Sequence, residues 1–127
     1  MNKFVKPSNL HLTISILIVV IVAFVYGFKP DLWFDVKLKT IDEVNIYKAI
    51  MGIYIAFSSL WFVGIIREKF WQMATISNFL FMLGLAFGRM ISLLFDGIPS
   101  TIFLLGTIGE LTLGFYAFYQ FKNQKIK

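Results

Sequence analysis

The chain contains no cysteine, a single histidine and only three prolines. Without cysteine there can be no disulfide framework, thiolate metal site or cysteine nucleophile, and His11 alone cannot build a multi-histidine metal centre. Charge is scarce as well. Asp, Glu, Lys and Arg make up 15% of the 127 residues, against 58% apolar and 18% aromatic, whereas a soluble globular domain is about a quarter charged. A soluble domain this small has too much surface for its volume to hide so many Phe, Ile and Leu side chains. Lipid is the solvent that fits. The net charge of +5 comes from lysines at the chain ends and between apolar runs, with no basic stripe on a polar face. That pattern excludes nucleic acid and makes anionic lipid headgroups the expected partner.

The apolar residues fall into four runs. From Leu12 to Phe28 the only polar residues are Thr13 and Ser15, and extension back to Asn9 gives the roughly 20 helical residues needed to cross a bilayer core. The rival reading is a secretory signal, because Lys3 and Lys6 precede the run and Val25 and Gly27 could pass as small residues before a cleavage site. The run is long for such a signal and has no Ala-x-Ala, so it is read as a helix. The whole chain reads as one integral membrane domain, residues 1–127: an all-α, up-down-up-down four-helix bundle with helices at 9–28, 41–66, 72–95 and 99–121. Thr40 and Glu43 have the spacing of a capping box at the start of the second helix. Asp96-Gly97-Ile98-Pro99 is a tight reversal, with Gly97 suited to the position after a helix end and Pro99 to the first turn of the next helix. Arg67-Glu68-Lys69 makes an equally short break. Only 29–45 is a longer loop, in which Phe34, Val36 and Leu38 alternate with Asp35, Lys37 and Lys39 as in a short extended segment, and Trp33 and Phe34 suit the headgroup level as anchors.

Orientation follows from the cations near the ends of the spans. Lys3, Lys6, Arg67, Lys69, Lys122, Lys125 and Lys127 share one side; Lys29, Lys37, Lys39 and the deeper Lys48 share the other with most of the acids. The excess predicts a multi-pass protein of the cell membrane with both termini cytoplasmic.

Two ionisable residues interrupt apolar spans, Arg89 in the third and Glu110 in the fourth. Each costs about 2.5–3.5 kcal/mol at a span centre even on insertion-based scales, so each needs a partner or water. Counting rise from the Asp96 turn puts Arg89 about 10 Å and Glu110 about 16 Å below it on adjacent, oppositely running helices. Side chains lean toward their own N-termini, which closes most of that gap. An Arg89–Glu110 contact is expected. Asn78, Arg89 and Asp96, with Ser92 close by, fall on one line of the third helix, and Tyr47, Met51, Tyr54 and Ser58 on one line of the second. Gly84 with Gly88, and Gly106 and Gly114 around Glu110, have the four-residue spacings that permit close backbone approach.

These residues admit two readings: an ion pair that only fixes helix register, or a ligand, ion or proton site. The second reading places ligand contacts at Arg89, Glu110, Ser92, Asp96, Asn78, Tyr54, Tyr47 and Lys48. The Tyr line also has a plain packing reading. Asp96, at a helix C-terminus that disfavours negative charge, is either such a contact or a turn residue. His11 is expected at the membrane interface, with pH sensing the alternative. No metal ligand set, cofactor motif, nucleophile–base pair or phosphate-cradling loop is present, so no catalytic residue is named. The halves show no repeat that would argue an inverted-repeat transporter.

The run Gly88-Arg89-x-x-Ser92-x-x-x-Asp96-Gly97-x-Pro99-Ser100, followed by Glu110 and Gly114 and preceded by Lys48-x-x-x-Gly52-x-Tyr54, resembles the small bacterial membrane proteins catalogued as domain of unknown function 4345. The resemblance extends over nearly the whole chain and is strongest from Gly84 to Gly114. It implies a four-helix membrane protein of similar length and implies no activity. Lys48 stands where the resemblance leads one to expect Arg in many relatives, and a lysine lacks the fork for bidentate anion binding. Three functions are therefore expected to compete. The polar interior binds or passes a small, anionic ligand or a proton; or the chain is a scaffold subunit or homo-oligomer, which an unpartnered Gly84/Gly88 face would favour; or, least supported, it acts on lipids as an enzyme.

Overall fold

A computed structural model describes residues 2–124 and contains four long helices: α1 (Leu10–Phe28), α2 (Ile41–Ile66), α3 (Trp71–Phe95) and α4 (Thr101–Gln124). No strand occurs among the described residues. All four helices are long and apolar enough to cross a membrane. Lys125 and Lys127, which enter the charge count above, lie outside the described residues.

The helix ends follow local chemistry. At the start of α2 the Glu43 N–H donates to Thr40 Oγ1 at 3.1 Å and the Thr40 N–H to Glu43 Oε2 at 3.0 Å. This reciprocal box satisfies donors that a helix start leaves orphaned. Gly97 adopts φ +106°, a backbone that L side chains avoid. Pro99 is not in the first turn of α4, which begins at Thr101. The residue before a proline is pushed toward extended backbone, so the chain leaves the Gly97 turn stretched, and the Ser100 carbonyl is the first to accept within the new helix, from Leu104 N at 3.3 Å.

Each helix packs against the next in sequence. The Phe4 ring meets Phe62 at 5.8 Å and Tyr26 meets Tyr47 at 5.7 Å, so the early end of α1 lies by the late end of α2 and the reverse. Between α2 and α3, Trp61 Nε1 donates to Ser77 Oγ at 3.1 Å, and Gly64 sits so near Ala74 that a side chain there would collide with it. Between α3 and α4, a Cβ on Gly114 would lie 2.6 Å from Leu83 Cδ2. Gly114 therefore does what its spacing suggested. Gly84, Gly88 and Gly106 have no such neighbour.

Apolar side chains point outward along the whole length, among them Leu17, Leu80, Phe87, Leu105 and Phe115. Water would make this surface prohibitive, whereas lipid tails solvate it. The interior is narrow and largely aromatic, with Trp61, Tyr54, Phe57 and Phe81 in edge and tilted contacts. At one end the N-terminal segment is tied down: Trp71 Nε1 donates to Asn9 Oδ1 at 2.8 Å, and Tyr116 OH donates to the Pro7 carbonyl at 3.0 Å. The opposite end is closed by the long loop. Its alternation is real, with Phe34 buried, Val36 and Leu38 half-buried, and Asp35, Lys37 and Lys39 exposed. Phe34 is no outward anchor, however, because it packs tilted against Tyr26 at 5.0 Å and stacks on Phe103 at 4.8 Å; Trp33 keeps about half of its surface exposed while its other side borders the interior.

Candidate functional site: a paired charge in an apolar pocket

Arg89 and Glu110 face one another from α3 and α4. The guanidinium Nε donates to both carboxylate oxygens, at 3.1 and 2.9 Å. The register of α3 on α4, set one turn or two below by the Gly114–Leu83 approach, brings them level. Such charge-assisted bonds are stronger than neutral ones. Only Nε is occupied by the carboxylate, so the two terminal amino groups of the guanidinium are left for other acceptors. The Phe103 ring lies under the cation at 5.3 Å, and Tyr26 lines the same cavity.

The pair lies at the side of a cavity of about 360 Å³. Apolar side chains of α1, α3 and α4 make up most of its wall, Tyr26 and Tyr54 contribute phenols, and Phe34 closes one end. The cavity follows the seam between α1 and α4, with Ile18, Val19 and Val22 of α1 on one side and Ile102, Leu105 and Gly109 of α4 on the other. Ile18 and Leu105, which line that seam, are also exposed on the outer surface. The site is thus reached sideways, from where lipid tails would be. A smaller space of about 210 Å³ lies beyond Arg89, lined by Ser92, Leu93, Pro99, Phe103 and Thr107.

The other residues singled out by sequence are distributed as follows. Tyr54 lines the main cavity. Ser92 donates to Asp96 at 2.8 Å, so these two engage each other at the exposed end of α3. Tyr47 packs edge-on against Tyr26 and does not line the cavity. Lys48 turns away: its ammonium donates to the Gly27 carbonyl and lies 4.9 Å from the Phe28 ring. There it meets the carbonyl-rich end of α1, where a cation is favoured. Asn78 is fully buried but lies well below the charged pair and outside the cavity lining. Tyr26 and Phe103 were not anticipated. A lone phenol near the end of an otherwise apolar span was the available signal for Tyr26; Phe103 carried none.

His11 departs from expectation. It is not at an interface with water or headgroups but fully buried between helices, with Nε2 at 3.1 Å from Thr75 Oγ1 and edge contacts to Trp71 and Tyr116. The N-terminal segment wraps over it, which a count of depth along α1 does not reveal.

Residues 8–121 match the family model described as Domain of unknown function (DUF4345). The chain belongs to that family. The match takes in all four helices, the long loop, and both members of the charged pair. No curated protein and no solved structure matches this DUF4345 chain. It is a multi-pass membrane protein by its four apolar helices, in a family whose description names no activity. Among the described residues no group of His, Cys, Asp and Glu could hold a metal ion.

Proposed function

We propose that the chain crosses the cell membrane four times, up-down-up-down with both termini cytoplasmic, and that the Arg89–Glu110 cavity receives a small amphipathic molecule from the bilayer. The carrying observation is the combination in one space: a wall of apolar side chains, a lateral opening along the α1–α4 seam, and a guanidinium whose terminal amino groups are not taken by its own carboxylate. Pockets that bind such molecules are mostly apolar with a few convergent polar groups. The ligand's head would be an anion or a strong acceptor held by Arg89, its tail would lie along α1 and α4, and Glu110 would be the counter-charge. An anion entering a neutral ion pair adds a charge to a dry site. A proton taken by Glu110 at the same moment would cancel it. The basic side, with Lys3, Lys6, Arg67 and Lys69, would rest on anionic headgroups.

The test uses Trp33, which lines the cavity. In a Trp61→Phe, Trp71→Phe background reconstituted in phosphatidylcholine vesicles, a bromine-labelled fatty acid is expected to quench Trp33 more strongly than the matching brominated alcohol. Arg89→Gln is expected to abolish the difference. Equal quenching by acid and alcohol in the Arg89 protein would overturn the reading.

A second reading has its own observation. Gly84 and Gly88 lie one turn apart on α3, exposed and with nothing near enough to meet an added Cβ. Small residues at this spacing let a second helix approach closely, which fits a scaffold subunit or a homo-oligomer in which the ion pair only fixes register. Gly84→Leu with Gly88→Leu would then change the size of the particle in mild detergent and leave the quenching difference intact.

A further inference from the structure

The bundle contains a second polar level, separate from the charged one and closed to the outside. His11 and Ser15 are one turn apart on α1, Thr75 and Asn78 one turn apart on α3, and Ser58 faces them from α2; all are buried, with relative exposures of 0% for the first four and 3% for Ser58. Helix register puts three of them at one height. The Phe4–Phe62 and Tyr26–Tyr47 contacts bracket Ser15 opposite Ser58. The Trp61–Ser77 bond and the Gly64–Ala74 approach put Asn78 opposite Ser58. The His11–Thr75 bond, carried one turn along both helices, puts Ser15 beside Asn78.

Apart from that one bond the level is unpaired. His11 Nδ1, Ser15 Oγ, Ser58 Oγ and both amide atoms of Asn78 have no hydrogen-bond partner among the described residues. The two serines are unusual within this same molecule. A hydroxyl in a helix ordinarily bonds back to its own backbone, as Thr13, Ser59, Ser77, Thr107 and Thr112 do here. Ser15 and Ser58 leave that bond unmade, at the level where Asn78 is also unpaired. Buried polar groups in folded proteins are satisfied almost without exception, and three helices rarely leave so many orphans at one height.

We propose that the Ser15–Ser58–Asn78 level is an internal site for ordered water, shared by α1, α2 and α3 and adjoining His11. The chemistry of the lining selects water over a bare cation. An Asn amide offers a donor as well as an acceptor, hydroxyls are both, and the free ring nitrogen of His11 is either one according to tautomer. A cation would use only the oxygens and leave Asn78 Nδ2 unsatisfied, and no carboxylate stands among these residues to balance its charge. Water, with two donors and two acceptors, meets every group in the set. Its role is to join α1 to the α2–α3 pair through a polar contact that apolar packing alone does not provide.

Magnetisation transfer from water, measured by solid-state NMR on the full chain in vesicles of deuterated lipid, tests this directly. The side-chain amide protons of Asn78 are expected to receive several-fold more signal than the backbone N–H of the equally buried Met82, and a Ser15→Ala, Ser58→Ala protein is expected to lose most of that excess. Transfer to Asn78 no greater than to Met82 would overturn the proposal. A thermal midpoint that rises in sodium chloride relative to choline chloride at equal ionic strength would overturn it too, in favour of a cation; equal midpoints are expected. If the double variant fails to fold, the Asn78–Met82 comparison in the unmodified protein still decides.

Discussion

Two polar levels interrupt the same apolar bundle, and they are satisfied in opposite ways. The upper one carries formal charge, is paired within the protein, and borders a cavity that opens along the α1–α4 seam. The lower one is neutral, sealed between α1, α2 and α3, and, among the described residues, without a hydrogen-bond partner except at His11 and Thr75. The contrast shows how cost sets arrangement. An ion in hydrocarbon is too expensive to leave to solvent, so a counter-ion is built in on the neighbouring helix. A neutral amide or hydroxyl can be satisfied by water carried in from outside. Binding of a foreign molecule is therefore expected at the upper level, where strong donors are left over, and structural water at the lower.

The contrast can be broken most severely at the upper level. Glu110→Ala strands a guanidinium in the interior and is expected to cost about 3 kcal/mol, at the low end of the range for a broken buried pair because the cavity gives Arg89 some room; a thermal midpoint in detergent unchanged from wild type would mean the charge is not buried in any useful sense. Next comes the register that sets the pair. Gly114→Leu forces α4 away from Leu83 and is expected to cost about 2 kcal/mol by overpacking, with a matching loss of the fatty-acid preference at Trp33; a stability loss with the preference intact would separate the register from the site. At the lower level Thr75→Val removes the one hydrogen-bond partner that His11 has among the described residues and is expected to cost about 1–2 kcal/mol as an unmade buried bond. The smallest effect belongs to Asn78→Leu. It removes both orphaned amide atoms at similar volume, so denaturation is expected to shift by less than about 1 kcal/mol, in either direction. A loss as large as that of Glu110→Ala would erase the distinction between the levels.

Much of the architecture was legible because membrane helices announce themselves by length and because their ends use local chemistry. The α2 capping box could be read from Thr40 and Glu43 alone, and the φ of Gly97 from the residues around it. The charged residues pointed to one another by simple rise and tilt, since two helices joined by a tight turn have little freedom of register. What could not be read depends on chain segments returning from a distance. Phe34 looked like a surface anchor because nothing in the loop says that it folds back under Tyr26 and Phe103. His11 looked interfacial because depth along α1 does not report the N-terminal segment and Tyr116 closing over it. Lys48 was expected near the site from the motif Lys48-x-x-x-Gly52-x-Tyr54, but a four-carbon stem lets the ammonium find the end of α1 instead. Asn78 shares a line with Arg89, yet the offset of 11 positions carries it to a different height and different neighbours.

The central claim is that Arg89 and Glu110 satisfy one another across α3 and α4. A double-mutant cycle with Arg89→Met and Glu110→Leu, read as unfolding free energy in one detergent, measures that coupling directly. The double variant is expected to lie within about 1 kcal/mol of wild type while each single variant loses about 3 kcal/mol. Losses that simply add would contradict the account, because they would mean that each charge answers to a different neighbour.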